Sequence, residues 1–425
     1  MNSKISRRSF IGKSSMAVAG LSVFPKFPNF SPNDTINLGI IGPGRRGINL
    51  VKNFLNIEGV NVIAGSDVYG RKRERFEKVV KDHYREKNRK VDIKTYENYH
   101  DLLDRKDIDA VIIATPDHWH ALQTIDACKA EKDIYLEKPV TLTIKEGQEI
   151  VKATREHNRI LSVGSQQRSD PAFQYAVKLV QEGKLGIIEK INAYVGGPPV
   201  PYDLPREAIP SDLNWDMWLG PNPYVHFNNE LNPPISLNPP LNEEFWGAWR
   251  WYKETGGGFT TDWGAHMFDI AQWAIGKQYS GPVRVIPPGS EGAEFLTFIY
   301  DNGVVMTEER FNEYIKGVKF RGTEGWLEIS RNHILTSDES LMPAEGELVQ
   351  NETHTENFIR TIRERKDPVV PVEIGHRTCT TCTLGNIAYD LGRPVNWNPD
   401  NESFVNDPQA ELYMHRHYRK GYGLG

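Results

Sequence analysis

Cysteine is scarce in this chain, three among 425 residues, too few for a disulfide framework. Cys379 and Cys382 form a C-x-x-C, a spacing used by redox pairs and zinc half-sites. No second C-x-x-C or histidine pair completes a zinc ligand set. Leu384, Ile387 and Leu391 follow at helical spacing, so the pair reads as buried helix cysteines. Long apolar runs are missing too. Ile11–Phe24 is broken by Gly12, Lys13 and serines, and falls short of the roughly 20 apolar residues a spanning helix needs. The mature chain is therefore expected to be soluble, without membrane insertion. Positive charge is not in excess: 51 Lys and Arg stand against 56 Asp and Glu, a net −5. The one basic stretch, Lys81–Lys94, is interleaved with acids, which argues against a nucleic-acid partner.

With 39% hydrophobic and 10% aromatic residues, the chain can bury a real core, and its length suggests two or three domains. Ser6-Arg7-Arg8-Ser9-Phe10-Ile11-Gly12-Lys13 matches the twin-arginine export pattern S-R-R-x-F-I/L-x-K. Ala17-Val18-Ala19 offers a modest cleavage site. Residues 1–33 are thus expected to be a signal and linker, and the protein periplasmic, or cytoplasmic if the signal does not function. That route carries folded proteins and serves enzymes that load a cofactor before export.

Ile36–Ile41 reads as a short apolar strand running into Gly42-Pro43-Gly44-Arg45-Arg46-Gly47, a complete G-x-G-x-x-G. Alone the motif is weak. Here a strand precedes it, a helix follows at Ile48–Asn56, and a second strand at Val60–Ala64 leads to Asp67. The glycines allow a tight turn and close approach of a pyrophosphate at the helix N-terminus. Asp67 stands roughly 20 residues on, where an acid grips the adenosine ribose. An acid there favours NAD over NADP, although Arg71 and Lys72 could hold a 2′-phosphate. Further apolar strands at Ala110–Ala114, Asp133–Leu136 and Ile160–Val163 alternate with helices ending at Ala130 and His157. Polar clusters follow their carboxyl ends, where open α/β sheets bind ligands.

Those clusters, A-T-P-D-H-W-H at Ala114–His120, E-K-P at Glu137–Pro139 and V-G-S-Q-Q-R at Val163–Arg168, resemble the Gfo/Idh/MocA oxidoreductases (glucose–fructose oxidoreductase and inositol dehydrogenase), in particular their secreted bacterial branch. The likeness runs over essentially the whole chain after the signal. It implies a Rossmann domain at 34–160 with a doubly wound parallel sheet. A second, substrate and oligomerisation domain at 161–425 would carry a large open, mostly antiparallel sheet. It places Lys138 at the nicotinamide and substrate, with a cis bond before Pro139. Thr115, Pro116, His118, His120, Glu137 and Gln166 would line the cofactor beside Gly42, Gly44, Arg45, Arg46, Gly47 and Asp67. A homo-oligomer, dimer or tetramer, is implied through the outer face of the second sheet.

The second half bears strand-like runs at Ile188–Val195, Glu294–Tyr300, Val304–Phe311, Val318–Thr323 and Gly325–Ile329, with a turn signal at Asp301-Asn302-Gly303. Within it, Gly256-Gly257-Gly258 precedes Asp262 and His266, which on one helix share a face. The glycines are expected to let backbone approach the nicotinamide. The family keeps D-x-x-x-H here as its catalytic pair. His266 suits a general base, Lys138 can stabilise developing alkoxide charge, and Asp262 would orient the imidazole or bind a neighbouring hydroxyl. Hydride transfer needs no metal, so His118, His120 and His266 are not read as ligands. The long loop from 196 to 246 holds Trp215, Trp218, Tyr224 and Phe227, and Phe245, Trp246, Trp249 and Trp251 follow. These can stack on sugar rings or on one another, with Arg168, Trp249 and Arg250 as candidate substrate contacts. Tyr413–Tyr422 has no reading.

The function expected is oxidation of a secondary hydroxyl of a sugar or glycoside, such as C3 of a glucoside, with a tightly held NAD(P). The competing readings are an NAD-dependent glycosidase acting by transient oxidation and elimination, and a nucleotide-binding protein without turnover. Such glycosidases lack the E-K-P lysine. A protein without turnover would be expected to have lost Lys138, Asp262 or His266.

Overall fold

The computed structural model describes residues 35–237, 246–313 and 316–424. The export motif Ser6–Lys13 and Phe245 lie outside the described residues.

Strand β1 (Ile36–Ile41) is buried along nearly its whole length, as a central parallel strand covered on both faces must be. It pairs in parallel with β2 (Val60–Ser66) and β4 (Ala110–Ile113). With β3 (Lys94–Tyr96), β5 (Asp133–Leu136) and β6 (Leu161–Val163), these form a six-stranded parallel sheet in the order β3-β2-β1-β4-β5-β6. That is the doubly wound Rossmann order, whose direction reverses between β1 and β4. The short β3 carried no apolar signal and was not expected. The helix Arg45–Leu55 buries Ile48, Leu50, Val51, Phe54 and Leu55 on the sheet. The helix Ile144–Glu156 opens with a capping box between Thr143 and Glu146.

The second sheet has nine strands among the described residues. Besides β7 (Ile188–Tyr194), they are β8 (Arg284–Ile286), β9 (Thr297–Ile299), β10 (Val305–Thr307), β11 (Gly317–Gly322), β12 (Gly325–Ser330), β13 (His333–Thr336), β14 (Val395–Asn398) and β15 (Ser403–Phe404). The order is β13-β12-β11-β7-β10-β9-β8-β14-β15, antiparallel except for β7 with β10. The Asp301–Gly303 turn joins β9 to β10, with Gly303 at φ 83° closing it. Behind the sheet lies the buried helix Gly264–Ala274, packed against the long helix Val372–Leu391. Cys379 and Cys382 are buried free thiols in that long helix. Cys379 donates to the Thr141 carbonyl at 2.9 Å. Burial pushes its pKa up to about 11, an inert thiol. The long helix also packs on the first domain, its Val372, Ile374 and Cys379 joining the apolar cluster that contains Val163 and Val140.

The Tyr413–Tyr422 segment is a strap on the Rossmann domain. The Tyr418 hydroxyl donates to Glu146, Arg419 pairs with Asp216 at 2.6 Å, and Tyr422 packs edge-on against Trp119. Among the described residues no helix is long and apolar enough to cross a membrane.

Candidate active site

At the β1–β4 switch point the glycine-rich turn shows two kinds of glycine. Gly42 has φ 83°, and a Cβ there would lie 2.7 Å from the Thr115 nitrogen; one on Gly47 would lie 2.3 Å from the Gly42 carbonyl oxygen. These two glycines permit the turn and its close packing. A Cβ on Gly44 would meet nothing nearer than the Lys72 ammonium at 4.0 Å. Gly44 also caps the helix without a side-chain hydrogen bond, so the first N–H groups of Arg45–Leu55 remain free for an anion. A cleft of about 580 Å³ opens there, walled by Gly44, Arg45 and Thr115 on one side and by Asn232, Trp246 and Arg250 of the second domain on the other. Asp67, Gly42, Thr115, Met217 and Trp218 line a smaller recess behind it. Pyrophosphate cradle, acid and recess fit a dinucleotide. Lys72 faces the cleft and donates to Asn232 at 2.8 Å, joining the two domains over it. Arg71 instead lies exposed beside Glu74.

The cleft continues into a chamber of about 400 Å³ that gathers Arg46, Glu137, Lys138, Asp262, His266 and Arg331 with Asp117, Gln166 and several aromatic rings. The Lys138–Pro139 bond is cis. Lys138 Nζ donates to Asp262 Oδ1 at 2.8 Å and to the Asp262 carbonyl at 2.9 Å. Arg250 adds a second cation 3.5 Å from the same Oδ1. Burial works to raise the Asp262 pKa, but the charges of Lys138 and Arg250 outweigh it and hold the carboxyl below its ordinary range. Arg46 Nε donates to Glu137 Oε1 at 2.7 Å, and against the cost of burial this partner raises the Arg46 pKa.

The expected single helix carrying Asp262 and His266 is two: Gly258–Asp262 and Gly264–Ala274, with Trp263 between. Lys138 takes the Asp262 carbonyl that would have received the His266 N–H. That N–H bonds instead to the Trp263 oxygen at 3.0 Å. Asp262 thus serves Lys138, and the neighbour of His266 Nε2 is Arg331 Nη2 at 3.2 Å. Desolvation, then the charges of Lys138 and Arg331, drive the His266 pKa well below 6.5, so the imidazole is neutral at neutral pH. The glycine run does not open toward the cleft either. A Cβ on Gly256 would strike the Arg250 carbonyl at 2.6 Å, and one on Gly258 the Pro199 nitrogen at 2.4 Å.

Three other assignments change. Arg168 is buried, bidentate to Asp269 at 2.7 and 2.8 Å and bonded to Gln278 at 2.6 Å, so no donor group faces a substrate. His118 is fully buried, its Nε2 2.8 Å from the Trp218 carbonyl. Desolvation takes its pKa down to about 3. His118 ties the A-T-P-D-H-W-H turn to the Trp218 loop rather than lining the cleft. His120 sits between the Pro139 oxygen at 2.7 Å and the Thr115 oxygen at 3.0 Å, bracing the two cofactor-facing turns from behind. Among the described residues no group of three or more His, Cys, Asp or Glu could hold a metal ion.

Trp249 and Arg250 do wall the chamber. The Arg250 guanidinium lies 4.2 Å over the Trp249 ring and 5.1 Å from Trp246. Trp251 stacks on Phe259 at 3.8 Å. Trp215, Trp218 and Phe227 pack on one another instead, and Tyr224 is exposed. Sequence reasoning passed over Asp117 and Arg331. Asp117 lay inside a recognised motif without a role. Arg331 comes from the β12–β13 turn, where no local signal marks it.

Models of the oxidoreductase family match twice: an NAD-binding Rossmann fold over residues 36–165 and a C-terminal alpha/beta domain over 194–424. The uncharacterized oxidoreductase YrbE of Bacillus subtilis is 25% identical over 302 residues, 68% of this chain and 71% of that protein. A glycosyl hydrolase family 109 protein of Shewanella baltica is 34% identical over 170 residues, which span 35% of this chain and 36% of that protein. Scyllo-inositol dehydrogenase from Lactobacillus casei, solved with NAD(H) and scyllo-inositol, superposes with a TM-score of 0.56 at 19% identity over 85% of this chain and 99% of that one. At that identity the likeness speaks for the fold alone. The two family matches, by contrast, take in most of the chain, the first covering the parallel sheet and the second every strand of the second sheet except β7. The chain belongs to the Gfo/Idh/MocA family of oxidoreductases, with NAD as the cofactor of its Rossmann domain.

Proposed function

We propose that this protein oxidises a secondary hydroxyl of a sugar or glycoside, keeping its NAD tightly held. The observation that carries this is the chamber itself. A cation fixed by a carboxylate, Lys138 on Asp262, stands in the same 400 Å³ space as a neutral imidazole and a wall of tryptophans. Bound NAD supplies the hydride acceptor. Lys138 then holds the substrate oxygen and stabilises its growing negative charge. His266, kept neutral by burial and by its cationic neighbours, accepts the hydroxyl proton. Asp262 fixes the ammonium in place, and the tryptophans of the chamber wall supply apolar surface for a sugar ring.

Retention of the cofactor is supported by the second domain's share of the cleft wall, above all the Lys72–Asn232 bond across it. The twin-arginine motif at Ser6–Lys13 supports export to the periplasm, where a lost cofactor could not be replaced. The likeness to a family 109 glycosyl hydrolase favours one alternative, transient oxidation followed by elimination of the aglycone. Lys138 argues against it. The test is absorbance at 340 nm on NAD-loaded protein given a panel of glycosides and inositols, with aglycone release followed in parallel. A lasting rise supports the dehydrogenase. Aglycone release without one supports the glycosidase.

A further inference from the structure

Among the described residues four cations face the chamber, and three have carboxylate partners: Arg46 with Glu137 at 2.7 Å, Lys138 with Asp262 at 2.8 Å, and Arg250 with Asp262 at 3.5 Å. Arg331 has none among the described residues. Its neighbours are the His266 Nε2 at 3.2 Å and the face of Trp263, 4.8 Å from its guanidinium. Asp262, Glu137 and Asp170 act on Arg331 only from beyond ion-pair distance and do not offset the desolvation and the Arg46 charge that lower its pKa. Desolvation raises the pKa of the other chamber acid, Asp117, to about 8 and leaves it mostly protonated at neutral pH. Among the described residues the chamber therefore carries an excess of positive charge, centred on an arginine without an ion-pair partner.

The position of Arg331 also conflicts with catalysis as it stands. Its N–H occupies the Nε2 lone pair of His266, and the other ring nitrogen, Nδ1, is buried with no partner among the described residues. A neutral imidazole in this state has its one accessible lone pair capped. Something has to draw Arg331 away before the ring can take a proton. Arg331 lies on the exposed two-residue turn between β12 and β13 and lines the chamber, with no ion pair holding it among the described residues.

We propose that the substrate is a carboxylate-bearing sugar, a uronic acid or its glycoside, and that its carboxylate binds Arg331 and thereby uncaps His266. A guanidinium fork matches a carboxylate in a bidentate pair, a stronger contact than a guanidinium–imidazole bond. Recognition and exposure of the base then occur in one movement. This rests on the oxidation reading above for the role of His266, whereas the anion site rests on Arg331 alone.

The test uses NAD-loaded protein titrated with methyl glucuronide and methyl glucoside, and with the galactose counterparts. Tryptophan fluorescence reads binding and 340 nm absorbance reads oxidation. A charge-assisted pair of this kind is worth on the order of 10- to 100-fold in affinity. The wild type should prefer the uronides by that factor, Arg331→Gln should bring the ratio close to one, and Arg331→Lys should retain part of it. Equal binding by the wild type, or an undiminished preference in Arg331→Gln, overturns the proposal. Arg331-dependent binding with no change at 340 nm for any sugar leaves the anion site standing and defeats the oxidation reading instead. Reduction by neutral glycosides with no preference for uronides does the reverse.

Discussion

Lys138 Nζ lies 2.8 Å from Asp262 Oδ1 and 2.9 Å from the Asp262 carbonyl oxygen, so one ammonium holds both the side chain and the backbone where the Gly258–Asp262 helix ends. Lys138→Ala removes the charge that faces the substrate oxygen and is expected to lower kcat by about 10²- to 10³-fold. Asp262→Asn keeps the shape but loosens the ammonium, and its loss should be the smaller. Single-turnover absorbance at 340 nm on NAD-loaded variants separates the two. Equal rates for Lys138→Ala and wild type would remove Lys138 from the mechanism.

His266 must be neutral to accept a proton, and its environment lowers its pKa well below 6.5. The acid limb of kcat/KM should accordingly lie well below pH 6.5. Arg331 is one cause of the depression, so Arg331→Gln should move that limb to higher pH while Arg331→Lys leaves it nearly in place. A limb unmoved in Arg331→Gln contradicts the electrostatic account.

Two buried groups tilt stability in opposite directions with pH. His118 has a folded pKa of about 3 against an ordinary 6.5, so its contribution is complete above pH 6.5 and is lost as pH falls toward 3, where the unfolded chain binds a proton the folded one refuses. Asp117 is raised from 3.8 to about 8; its contribution is complete below pH 3.8 and is lost as pH rises to 8. Asp117→Asn should therefore raise the thermal midpoint at pH 8 more than at pH 4. A midpoint gain independent of pH would show that Asp117 is not the titrating group.

Arg168 and Arg250 should separate structure from binding. Arg168→Ala strands the buried Asp269 and is expected to cost about 3–5 kcal/mol in denaturant unfolding. Arg250→Ala should raise KM for the sugar with a much smaller change in stability. If Arg168→Ala left stability intact and raised KM alone, the structural role given to it would be wrong.

The glycines of the turn differ in the same way. Gly44→Ala adds a methyl group to open space, so the protein should fold normally while NAD affinity falls about tenfold or more as the pyrophosphate cradle fills. Gly47→Ala drives a methyl group to 2.3 Å from the Gly42 oxygen and should destabilise the fold itself. Melting curves with and without NAD distinguish these outcomes.

The parallel sheet was legible because buried strands announce themselves as unbroken apolar runs, as in Ala110–Ile113, and because the glycine turn has a fixed place between strand and helix. Lys138, Asp262 and His266 were found by motif, and the structure brings all three into one chamber. Their pairing was not readable. Periodicity put Asp262 and His266 on one helical face, but it could not show that a lysine 124 residues away takes the Asp262 carbonyl. Arg168 looked like a free arginine after a strand because its partner lies 101 residues along the chain. Arg331 was invisible for the same reason: it reaches His266 across 65 residues from a turn whose sequence carries no chemical signature. The C-terminal Tyr413–Tyr422 segment had no pattern to read, since its role is to meet Glu146 on the Rossmann domain and Asp216 far along the chain.

The central claim is that hydride leaves a sugar hydroxyl and stays on the bound cofactor. Protein purified without added nucleotide should release NAD(H) on denaturation, and the intact protein should gain lasting 340 nm absorbance when given its sugar, in a manner abolished by Lys138→Ala and His266→Ala. Bound NAD with aglycone release and no lasting absorbance would contradict that claim in favour of oxidation–elimination. Absence of any bound nucleotide would contradict the retained cofactor.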